Sequence, residues 1–254
     1  MRYEILGPLR IIKKGGNRCS LTPRKQVILL AALLVRANQV VSTSQLLTEL
    51  WGDNPPRRAS ASLHVYISQV RKALQEEGNQ GLPIVTRPPG YVLRARADEV
   101  DASEFSQALD QGRQHLTARA YDEAAIVLRF ALSLWRGPVL GGLTGGGPII
   151  RSSTAWLEEC RLECVELLAE ALLARGEYQE GIRLLYSIIH DYPLRETFYR
   201  LLMIALYRAN RQSDALLIYQ QARDVTISEL GLEPSQSLRD LHQAILVGDQ
   251  LTAH

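Results

Sequence analysis

The sequence predicts a mainly α fold with a small β component: an N-terminal winged helix-turn-helix followed by an all-α, tetratricopeptide-like helical repeat domain. Three observations carry this. Residues 1–97 show short alternating stretches, three helical stretches and then a hairpin signature. Further on, two similar stretches place Gly181 and Ala215 at equivalent positions, 34 residues apart, which is the tetratricopeptide period. The charge divides with the pattern. Residues 1–97 hold 15 Lys and Arg against 5 Asp and Glu, a balance of +10, and residues 98–254 hold 14 against 22, a balance of −8. The expected domains are therefore 1–97, whose basic surface suits a polyanion, and 98–254.

The first stretch, MRYEILGPLRIIKK, alternates loosely around Gly7-Pro8 and Gly15-Gly16 and reads as short antiparallel strands. In LTPRKQVILLAALLVRANQ, Thr22 suits an N-cap and Pro23 the first helical position. Val27, Leu30, Ala31 and Leu34 then fall at helical spacing, for a helix to about residue 37. Ser42 with Gln45 three residues on forms a capping box that opens TSQLLTELW, and Gly52 with Asn54-Pro55-Pro56 closes it.

The third helical stretch is RRASASLHVYISQVRKAL, residues 57–74. Leu63, Ile67, Val70 and Leu74 form its apolar stripe. The opposite face carries Arg58, Ser62, Val65, Ser68, Gln69 and Lys72 and no carboxylate. Glu76 and Glu77 follow only after the last turn. A solvated helix face usually mixes both signs. This one suits a DNA major groove, with Lys and Arg for phosphates, Gln and Ser for base edges and Val for a thymine methyl. Tyr66 serves packing or contact equally well, His64 reads as a packing residue, and Arg57 as a solvated one. IVTRPPGYVLRA then reads as a hairpin, strands 84–86 and 91–93 about Pro88-Pro89-Gly90, with Arg87 at the tip. An arginine there can meet phosphates or a minor groove.

In the acidic half, DASEFSQALDQG begins helical, and TARAYDEAAIVLRFALSLW reads as the turn and second helix of a hairpin. Ala124 lines up with Gly181, 57 residues later, and the excess over the 34-residue period is assigned to a loop insertion at 137–154. Three hairpins with a break after the first are expected.

Enzyme chemistry finds no constellation. The glycines at 141–147 lack the Gly-Lys-Ser/Thr of a phosphate loop, and Pro148 is expected to break the helix start such a loop needs. Cys160 and Cys164 lack partners at metal-ligand spacing and read as core residues; Glu158, Glu159 and Glu163 with Arg161 read as a solvated helix face. No apolar run approaches the roughly 20 residues that span a bilayer, and no export signal is visible, so a cytoplasmic, nucleoid-associated protein without membrane, cofactor or metal is expected.

The order LTPRKQ, LLTELWG, PP, YISQVRKAL and TRPPGYVL is similar to the winged-helix domain of the Streptomyces antibiotic regulatory protein family. Its third helix and wing resemble those of OmpR-type response regulators. LSLWRGPVL, WLEECRLECVELLAEALLARGEYQEGI, YPLRETFYRLLMIALYRANRQSDAL and ELGLEPSQSLRDLHQAIL resemble that family's bacterial transcriptional activation domain. The sequence departs at Ser68 and Gln69, where response regulators often carry arginine, and at GGLTGGG. By position, the resemblance implies that Ser62, Val65 and Gln69 face bases. Tyr66, Ser68, Arg71 and Lys72 meet the DNA backbone, and Arg87 is the wing arginine. It further implies a small, two-domain activator that binds direct repeats in double-stranded promoter DNA, with a second copy of itself as a candidate partner. Recruitment of RNA polymerase holoenzyme and control of an antibiotic or other secondary-metabolite cluster complete the expectation. The opposed reading is a helical-repeat adaptor whose winged helix does not read DNA.

Overall fold

The structure is a computed structural model that describes residues 1–75 and 83–248; Glu76 and Glu77 lie outside the described residues. It divides into two compact units, the first made of Met1–Gln107 and Ser133–Arg161, the second of Ala108–Leu132 and Leu162–His254.

The first unit opens with β1 (Arg2–Glu4), β2 (Arg10–Ile12) and β3 (Arg18–Cys19), an antiparallel meander in that order. Helix α1 (Arg24–Leu34) follows. Its N-cap is Pro23 rather than Thr22: Pro23 is extended, and its carbonyl accepts from Gln26 and Val27. The helix stops at Leu34, short of residue 37, because the chain tightens into three-residue turns and Asn38 takes a left-handed conformation. Of the expected stripe, Leu30, Ala31 and Leu34 are buried and Val27 is half-buried. After β4 (Val41–Ser42), α2 (Thr43–Trp51) starts at the expected capping box. The Ser42 hydroxyl accepts from the Gln45 N–H, the Gln45 side chain accepts from the Ser42 N–H, and Gly52 ends the helix.

Helix α3 (Ala59–Leu74) buries Leu63, Ile67, Val70 and Leu74 to 2% exposure or less. Each such side chain stabilises the unit by roughly 1.5–3 kcal/mol relative to exposure. The wing is β5 (Ile84–Arg87) and β6 (Gly90–Leu93), joined to β4 in the order β4-β6-β5. Gly90 is required by this sheet, since a Cβ there would lie 1.9 Å from the Val41 carbonyl oxygen.

Residues beyond 97 complete the same unit. Asp101, buried at the start of α4 (Asp101–Thr117), accepts the N–H groups of Ile5 and Leu6 at 2.7 and 3.0 Å and the Arg136 guanidinium at 3.1 Å. Burial pushes its carboxyl up from the ordinary value, against the pull of those three donors. The Arg136 and Leu140 N–H groups donate back to Leu6 and Ile5. The expected loop at 137–154 is loop only as far as Gly147, apart from a 3-10 turn at Val139–Gly141. Pro148 begins α6 (Pro148–Ala174) instead of preventing it. Proline is suited to a first helical position, where its missing N–H has no partner to lose. The Ile149 and Ile150 N–H groups at this helix start donate to the Glu49 carboxylate at 2.9 and 3.1 Å, and Glu49 is 2% exposed. A Cβ on Gly147 would meet the Glu49 Cα and carboxylate at 2.7 Å, so the glycine permits this approach. A glycine-rich loop does lead into a helix here, and an internal carboxylate holds the position an anion would take.

The second unit is helical. With the remainders of α4 and α6 it contains α5 (Tyr121–Ser133, to Leu132), α7 (Tyr178–Ile189), α8 (Glu196–Arg208), α9 (Gln212–Leu230) and α10 (Gln236–Val247). Ala124, Gly181 and Ala215, the positions matched by the repeat, are all buried. Phe198, Leu202 and Leu206 of α8 pack in one core with Ile182 and Leu185 of α7 and Ile218 of α9. Arg129 of α5 clasps Glu180 of α7 at 2.8 and 2.9 Å and Glu177 at 3.0 Å. Cys160 and Cys164 are buried, and Cys164 lies against the Leu128 carbonyl. The acidic residues around them are more engaged than a solvated face: Glu163 pairs with Arg113 at 2.6 and 2.8 Å, and Glu158 accepts from Val139.

Candidate nucleic-acid interface

The interface is built on the face of α3 left free by its buried stripe. Val65 is 51% exposed, Gln69 is exposed and Ser62 is half-buried, and the three share a helix face by spacing. Ser68 and Lys72 are exposed one turn apart. Arg58 is exposed but stands just outside the helix as its N-cap residue. The first turn of α3 carries no acidic residue, and its last turn carries Arg71 and Lys72. Residues 57–75 contain no carboxylate at all. The helix dipole therefore leaves its N-terminal end electropositive, and the basic side chains supply that sign at the other end.

Three of the expected contact residues have internal partners as well. Gln69 accepts from Gln26 of α1, Nε2 to Oε1, at 2.7 Å. With its oxygen so engaged, Gln69 offers a duplex its amide N–H donors, which match acceptors such as guanine O6 and N7 or thymine O4. The oxygen keeps a second lone pair, so the paired donor and acceptor that read adenine are compatible with that bond as well. The Tyr66 ring stacks on Trp51 of α2, with centroids 6.1 Å apart and planes at 21°. Lys25 donates to the Leu50 carbonyl and stands 5.5 Å from the Trp51 ring centroid. Arg71 donates through Nε to the Ile84 carbonyl at 2.8 Å and through Nη2 to the Thr86 hydroxyl at 2.9 Å, with its guanidinium 5.9 Å from the Tyr91 ring centroid. Arg71 thus braces the wing against α3. His64 helps from the adjacent edge, 2.9 Å from the Tyr91 hydroxyl, as a packing residue.

Arg87 ends β5, opposite Gly90, and is exposed. It lines a shallow hollow with Arg94 and Arg96, and Arg96 is paired with Asp98 at 2.6 Å. Sequence reasoning missed Gln26 and Arg94. Gln26 had a readable signal: a polar side chain one turn before Leu30 on a stripe that is otherwise apolar, and it is 8% exposed.

Comparison with known proteins agrees with this architecture. Residues 16–93 match the family model for the C-terminal domain of transcriptional regulatory proteins, and residues 100–246 match the bacterial transcriptional activator domain. Fold and site together define a transcriptional regulator with an OmpR-like winged helix and an activator domain. The transcriptional regulator RedD of Streptomyces coelicolor is 37% identical over 98% of this chain and 71% of its own length. The regulatory protein AfsR of the same organism is 34% identical over the whole chain, which spans 25% of that protein. The structure of Mycobacterium tuberculosis EmbR in complex with a low-affinity phosphopeptide superposes with a TM-score of 0.92 at 32% identity, covering 99% of this chain and 66% of that one. The chain belongs to the Streptomyces antibiotic regulatory protein family of transcriptional regulators.

Proposed function

We propose that the chain is a sequence-specific DNA-binding transcription activator in which α3 enters the major groove of promoter DNA. Ser62, Val65 and Gln69 face the bases. Arg58, Tyr66, Ser68 and Lys72 meet the backbone, and Arg71 holds the wing so that Arg87 reaches the backbone or minor groove. On this reading two copies sit head to tail on direct repeats, recruit RNA polymerase holoenzyme and switch on a secondary-metabolite gene cluster from the nucleoid. No catalytic step, cofactor or metal is assigned to the chain. The observation that carries the reading is the exposed, carboxylate-free face of α3 beside an exposed wing arginine. The family supports it, since one relative is named a transcriptional regulator and another a regulatory protein.

Footprinting of the full chain on the promoters beside its own gene tests the proposal. Protection of repeats in the same orientation is expected. Binding no tighter than to random duplex at moderate salt would favour the adaptor reading instead.

A further inference from the structure

The first unit contains a groove of about 720 Å³, away from the α3 face, where the end of α1, the start of α4 and the start of α6 converge. That volume falls in the range of small-molecule sites, about 300–1,000 Å³. Among its lining residues Ile5, Leu34, Val100 and Leu157 are each 3% exposed or less, which gives it an apolar base. Trp156 also lines it and is 57% exposed, an unusual state for an indole on a helix with a well-formed core. The polar lining is almost entirely uncharged. Ser103, Ser106, Ser152, Ser153 and Gln107 are hydroxyls and an amide, and among the described residues no carboxylate lines the groove. Ser106 donates its hydroxyl proton to the Ala102 carbonyl, and Ser152 to that of Ile149, so both keep oxygen lone pairs as acceptors. The charged side chain that lines it is Arg36, exposed and without an ion pair among the described residues.

We infer that this groove binds a small, ring-bearing organic molecule that carries hydroxyl donors and one acidic group. The ring stacks on Trp156 over the apolar base, its hydroxyls donate to the serine oxygens, and its acid pairs with Arg36. A dianion would leave one charge without a partner, and a cation finds no carboxylate. An occupant would lie against the end of α1, the helix whose first turn holds Gln69 through Gln26. That last consequence rests on the DNA-reading proposal; binding in the groove does not.

Isothermal titration of the full chain with 6-hydroxy-2-naphthoate, without DNA, tests the site. One saturable site per chain is expected, with affinity falling at least tenfold in Trp156→Ala. Arg36→Gln should weaken the naphthoate several-fold and leave uncharged 2-naphthol unchanged, a split that general loss of folding would not produce. Absence of a saturable site, or a site indifferent to both substitutions, overturns the inference. Self-association of the chain that is lost in Trp156→Ala, without naphthoate binding, would also overturn it, making the groove a protein contact.

Discussion

On the proposed reading face, Gln69 shows how a single bond orients a side chain. Its oxygen accepts from Gln26 across two helices, and that bond fixes the orientation in which the amide is presented. Gln69→Ala is expected to cost about 1–3 kcal/mol on cognate duplex and to relax choice at one base pair. Gln26→Leu should alter selectivity at that same base pair while leaving the salt dependence of binding as it was; competition among duplexes substituted at each position would reveal both. Lys72 is proposed as a phosphate contact instead. Lys72→Ala should weaken all duplexes alike and lower the slope of log affinity against log salt by about one. An unchanged slope would remove Lys72 from the phosphate contacts. At this scale the sequence exposed the stripe Leu63, Ile67, Val70 and Leu74, because burial follows helical period. It could not expose the Arg71 brace or the Gln26–Gln69 bond, whose partners lie 13 to 43 residues away and leave no trace in local spacing.

Elements were legible where their ends are local. Ser42 and Gln45 satisfy each other three residues apart, so the start of α2 could be read directly. The start of α6 could not, because its cap, Glu49, comes from a residue about 100 positions earlier. Glu49→Ala should destabilise the first unit by about 1.5–3 kcal/mol, since two N–H groups lose a charged acceptor in a buried setting. Chemical unfolding would measure it, and a near-neutral result would show that water replaces the carboxylate. In the second unit, hydrogen bonds from Arg129 hold the Glu180 carboxyl below its ordinary value. A folded-state value below the unfolded one stabilises at neutral pH and fades as the pH falls through it. Glu180→Gln should therefore lower the melting temperature near pH 7 and make little difference near pH 3. An equal gap at both would assign the effect to packing.

For the whole molecule, the charge split and the 34-residue period suggest two parts meeting at residue 97, and the first compact unit runs on to Gln107 and takes in Ser133–Arg161. Within the first unit, Asp101, Arg136 and Glu49 tie residues 101–107 and 133–150 to the strands and helices of the winged helix. A fragment ending at residue 97 would expose Ile5 and Leu6, now 1% and 0% exposed, and leave the buried Glu49 carboxylate without its donors. It should unfold at a lower temperature than one ending at residue 161, by circular dichroism. The function proposed for this assembly is that the acid-free face of α3 reads duplex DNA. Val65 is the place to test it, half-exposed on that face and outside the core. The direct measurement is fluorescence anisotropy of the full chain on its footprinted promoter duplex and on a scrambled one, for wild type and Val65→Glu. Wild type should prefer the promoter by roughly a thousandfold or more, the scale of specific recognition, and Val65→Glu should erase most of that preference while melting at the wild-type temperature. Full discrimination retained by a folded Val65→Glu chain would contradict the account.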